Sequence, residues 1–135
     1  MNKISGLALI IIGLLHTLIG LLLPGAIGFS GVWQEIVNVG VIDAAKPESL
    51  QIWGYYWFLM PGLLIILYGL LCYWVENQLN ASLPSFVGWG LLLVAGFGIV
   101  LDIDTGFWLV LIVAINAIVA SQRGDRSRQP DGEQL

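Results

Sequence analysis

Four stretches, Ile4–Leu23, Leu50–Val75, Leu83–Leu101 and Thr105–Ser121, contain no aspartate, glutamate, lysine or arginine. Each is close to the ~20 residues that cross a hydrocarbon core about 30 Å thick. Lipid offers backbone N–H and C=O groups no partners, so such stretches must satisfy them internally, as helices. The alternating pattern of an outer-membrane barrel is not seen in them. Only 10% of residues are charged and 58% are hydrophobic, and the mean hydropathy is +0.88; a soluble domain carries about 25% charged residues. The expectation is an all-α integral membrane bundle of four transmembrane helices within residues 1–121. A polar tail at 122–135, QRGDRSRQPDGEQL, has almost nothing apolar to bury and is expected to be disordered.

The long connection at 24–49 opens with Pro24 and Gly25, which end the first span. Trp33, Ile36, Val37 and Val41 then recur at helical spacing, with Gln34, Glu35 and Asn38 opposite. That pattern predicts a short interfacial amphipathic helix between the first and second spans. Pro47 and Glu48 suit the start of the second span. Trp53, Tyr55, Tyr56 and Trp57 crowd one end of that span and Tyr73 and Trp74 the other, as aromatic belts do. Pro61 inside it cannot donate to Trp57, whose carbonyl is therefore freed. The first span runs well beyond the ~7–15 apolar residues of a signal peptide and lacks an A-x-A site, so it reads as a retained helix.

Lys3 precedes the first span and Arg123, Arg126 and Arg128 follow the fourth, whereas the long first connection holds only Lys46. The positive-inside rule then makes both termini cytoplasmic. The net charge of −4 comes without a basic stripe, so nucleic acid is not an expected partner. Cys72 stands alone, which excludes an intrachain disulfide, a CxxC redox pair and a cysteine-rich zinc site. A single histidine cannot hold a haem from both sides or build a multi-histidine centre. No metal or cofactor is expected, and the bilayer is the expected partner.

Gly6, Gly13 and Gly20 recur every seven residues, as do Gly62 and Gly69. Small residues at this spacing form seams along which membrane helices approach closely. His16, at about 100° per residue, falls beside the first seam and roughly 18 Å along the helix from Ile4. An ionisable group inside a membrane is a functional candidate. It serves either as polar glue, with the carbonyl of Trp57 as partner, or as the floor of a pocket on the outer face. Glu35 and Asp102 are the carboxylates that could join it there. Asn116 and Tyr68 lie nearer the cytoplasmic side. Asp104 is placed as the N-cap of the fourth helix.

GLALIIIGLLHTLIG, YYWFLMPGLLIILYGLL, SLPSFVGWGLLL and DTGFWLVLIVAINAIVA together resemble a domain-of-unknown-function family of small bacterial membrane proteins. The matching features are His16, Trp57–Phe58 ahead of a glycine, and Gly106–Trp108. The resemblance covers all but the tail. It implies four spans and a place in the cell inner membrane, and brings no activity. Small multidrug transporters are similar in size and span count, but their first-span glutamate has no counterpart here. Two readings follow. One is a non-enzymatic accessory subunit, acting as a homo-oligomer or within a larger membrane complex. The other is a protein that binds or transforms a small lipophilic ligand using His16 with the outer-face carboxylates.

Overall fold

The computed structural model describes residues 4–46 and 48–126. Among them the helices are α1 (Ser5–Leu22), α2 (Val32–Val39), α3 (Leu50–Asn77), α4 (Ser85–Leu101) and α5 (Phe107–Arg126), with a 3₁₀ turn at Pro24–Ile27. Three are long and apolar enough to cross a membrane: α1, α3 and the Phe107–Gly124 part of α5. α4 is shorter at 17 residues, or about 26 Å at 1.5 Å per residue. Pro84 precedes it and Asp102 ends it. Gln122–Arg126 continue α5 instead of opening the tail. The expected restart at Pro47 and the remaining tail, 127–135, lie outside the described residues.

The chain divides into two compact units, one of them Ile11–Leu67 and the other formed by the parts that flank it. In Ile11–Leu67 the end of α1 follows from Pro24. Without an N–H, Pro24 cannot donate to the Gly20 carbonyl, and the Tyr55 hydroxyl donates to that oxygen instead, at 3.0 Å. Gly31 and Gly40 then bracket α2, at φ of 79° and 99°, a region that side chains with a Cβ rarely enter. The connection is packed onto the first turns of α3: Val32, Ala44, Ile52 and Tyr55 form a buried cluster, flanked by Phe29, Ile36 and Leu59. Phe29 and Trp33 both set their rings edge-on to Tyr55, with centroids 5.5 and 5.7 Å away. The expected amphipathic helix thus exists at Val32–Val39, but its core face is Val32 and Ile36. Trp33, Val37 and Val41, grouped with Ile36 by spacing, remain exposed.

α1 and α3 meet in this unit through glycine. A Cβ on Gly13 would come within 2.9 Å of the Gly62 carbonyl oxygen and of the Ile66 amide. One on Gly20 would lie 2.7 Å from Leu59, and one on Gly62 would lie 2.6 Å from the Thr17 hydroxyl.

In the other unit, the first turns of α1 lie against the last turns of α3. A Cβ on Gly6 would overlap the Tyr73 backbone, and one on Gly69 would sit 2.7 Å from the Ile10 amide. Cys72 is buried and unpaired among these residues. α4 and α5 pack antiparallel through small side chains: Gly88 faces Ile118 and Ala114, and Gly98 faces the Phe107 ring. Ala95, Ala114 and Ala117 are buried in the same unit. Asp104 does not cap α5. That helix begins at Phe107, with the Gly106 carbonyl accepting from Leu109 at 3.1 Å. The Asp104 amide instead donates to the Asp102 carboxylate at 3.2 Å, closing the turn two residues before the helix can start.

Candidate functional site

His16 lies on the α3-facing side of α1, half-buried. Its Nε2 is 2.8 Å from the Phe58 carbonyl oxygen, and its ring stacks on Phe58 with centroids 4.2 Å apart and planes 18° from parallel. A carbonyl can only accept, so Nε2 carries the proton and, in the neutral ring, Nδ1 keeps the lone pair. The ring fits because Gly62 has no side chain: a Cβ there would sit 2.7 Å from His16 Cδ2. Phe58 and Gly62, four residues apart, share one face of α3. Trp57 lies about 100° round the helix from Phe58 and is 55% exposed. The partner carbonyl is therefore that of Phe58 and not that of Trp57. Next along α1, the Thr17 hydroxyl donates to the Gly13 carbonyl at 2.8 Å.

Of the carboxylates expected beside His16, Glu35 shares its unit, Ile11–Leu67. Glu35 is half-buried in the first turn of α2 and makes no hydrogen bond to His16. Asp102 is exposed at the C-terminal end of α4, in the other unit, and accepts from the Asp104 amide. Asn116 also lies in the other unit, where its Nδ2 donates to the Ser5 hydroxyl at 2.9 Å. Tyr68 is exposed. Among the described residues no group of three or more His, Cys, Asp or Glu could hold a metal ion.

The polar residue that the spacing arguments missed is Glu76. It is 3% exposed, in the last turn of α3. One carboxylate oxygen accepts from the Ser5 amide at 3.2 Å and the other from the Gly6 amide at 2.9 Å. These are the first amides of α1, which have no partners within the helix. The carboxylate also lies at the positive end of the helix dipole. Ser5 is buried alongside, held by Asn116. A signal for this was present in the sequence. Ile4 precedes the helix and cannot cap it, so the open amides had to find an acceptor elsewhere. Glu76 is the acidic residue at the end of an apolar run.

The comparison with known families gives one match: the description "Family of unknown function (DUF6463)" covers residues 1–124. No curated protein and no solved structure matches the chain.

Proposed function

As the chain belongs to that family of unknown function, we propose that it is a four-span protein of the bacterial inner membrane, both termini cytoplasmic, acting as a non-enzymatic accessory or oligomeric subunit. One observation carries this reading. Among the described residues, four polar side chains on its apolar helices are bonded to the protein's own backbone or to one another: His16 to Phe58, Tyr55 to Gly20, Glu76 to Ser5 and Gly6, Asn116 to Ser5. Side chains used in this way hold helices together and leave few groups to line a transport path. α4 counts as the fourth span because it lies along α5 from Gly88 to Gly98, and a helix short of the core thickness is accommodated by local thinning of the bilayer.

The orientation is tested with single cysteines at Ser30, Thr105 and Ser127 in a Cys72→Ala background. The cysteines at 30 and 105 are expected to react with an impermeant maleimide on intact cells, and the one at 127 only after lysis. Labelling at 127 from outside would overturn it.

A second reading rests on His16 alone. Among the described residues its Nδ1 has no hydrogen-bond partner, and it could accept a bond from the hydroxyl of a lipophilic ligand. As glue, His16→Gln keeps a donor at that depth and is expected to lose at most about 1 kcal/mol, the scale of interhelical hydrogen bonds in membranes. His16→Leu should cost more, because it removes the donor to Phe58. Thermal melts of both variants, with mass spectrometry of copurified small molecules, separate the readings. Unchanged melts with a ligand lost from both variants would overturn the glue role. A destabilised leucine variant with no ligand in any sample would overturn the ligand site.

A further inference from the structure

α2 has three faces where a helix lying between protein and water needs two. At about 100° per residue, Val32 and Ile36 fall together, and both pack in the cluster with Ile52 and Tyr55. Gln34 and Asn38 fall together on an exposed polar face. Between these lie Trp33 and Val37, 46% and 73% exposed. The chain then leads into Val41 and Ile42, which are 80% and 93% exposed.

We propose that Trp33, Val37, Val41 and Ile42 form a foot that inserts into the interfacial layer of the outer leaflet, with Gln34 and Asn38 turned to water. The inference rests on the membrane-spanning reading above and adds the lipid contact of this segment. The occupant is lipid because of where the segment is tied. It leaves α1 at Leu22 and Leu23, 73% and 57% exposed, and joins α3 at Leu50, 72% exposed. Both tethers are apolar helix ends, so the segment starts and finishes at the edge of the hydrocarbon. A half-exposed tryptophan is suited to that boundary.

Charge identifies the kind of lipid contact. Residues 24–49 hold Glu35, Asp43 and Glu48 against Lys46, a net charge of −2, and Asp43 pairs with Lys46 at 2.6 Å next to Ile42. Attraction to anionic headgroups, which draws basic segments to membranes, is therefore absent. Apolar area drives the insertion, so a zwitterionic surface is sufficient.

The test uses the full chain with Cys72→Ala and, singly, Val37→Cys, Asn38→Cys, Ile42→Cys and Leu64→Cys. Each is labelled with an environment-sensitive fluorophore in phosphatidylcholine vesicles, with or without nitroxide lipid. Labels at 37 and 42 are expected to emit to the blue and lose intensity to the nitroxide, while the label at 38 emits as in water. Leu64, 57% exposed on α3, reports on the spanning helix itself. Water-like, unquenched emission at 37 and 42 with quenching retained at 64 overturns the foot and leaves the spanning reading intact. Loss of quenching at 64 overturns the spanning reading. A blue shift at 42 without quenching, reversed on dilution, assigns the surface to a second copy and also overturns the foot.

Discussion

Glu76→Leu is expected to cost about 2–6 kcal/mol of stability, because two buried backbone donors lose their acceptor at about 1–3 kcal/mol each. The Ser5 and Gly6 amides have no fallback, since the first amides of a helix have no acceptor within it. The negative charge at the positive end of α1 disappears at the same time. Glu76→Gln should recover only about half of the loss. Its amide oxygen can accept from one backbone N–H, but its NH₂ then faces the other, donor against donor. Denaturant titration of the purified variants in one detergent reads both values. A leucine variant as stable as the wild type would show that the carboxylate does not support α1.

Two alanine substitutions should move stability in opposite directions. Gly6→Ala places a Cβ on the Tyr73 backbone. Backbone cannot rotate aside as a side chain can, so α1 and α3 must separate there. The cost is about 1–3 kcal/mol, the range for overpacking, and sits at its upper end. Gly90, on an exposed stretch of α4, has nothing within 4 Å of an added Cβ. Gly90→Ala should therefore stabilise by roughly 0.5–1 kcal/mol through helix propensity alone. Thermal melts of both variants test the pair. Equal shifts of the same sign would show that close approach at Gly6 does not matter.

The long apolar helices were legible in the sequence because an uncharged run of this length has so few alternatives to a helix. The run at Ile4–Leu23 becomes α1 at Ser5–Leu22, and α3 extends the run that begins at Leu50 by two residues past Val75. Partners across helices were less legible, because they depend on rotation and depth together. His16 was placed on a carbonyl of the Pro61 turn, but the choice between Trp57 and Phe58 is a rotation of about 100°. The stacking with Phe58 fixes it. The role of Glu76 depends on α1 amides seventy or more residues away, |i−j| = 71 and 70, which no local pattern encodes. Asp104 was misplaced as a cap because α5 starts only at Phe107, where Gly106 precedes the first turn.

α1 depends on α3 at both of its ends, and this has a consequence for biosynthesis. The Gly20 carbonyl waits for the Tyr55 hydroxyl, and the Ser5 and Gly6 amides wait for Glu76. On the membrane-spanning reading proposed above, a nascent chain that has released only α1 into the bilayer therefore holds a helix with open groups at each terminus. The Gly20 end closes once the first turns of α3 have been made, and the Ser5 end only when its last turn leaves the ribosome. Until then the first segment is an incomplete guest in the membrane, dependent on the insertion machinery to shield it. Premature termination anywhere before Glu76 would leave a fragment with an exposed hydrogen-bonding defect, the kind of product that membrane quality control removes.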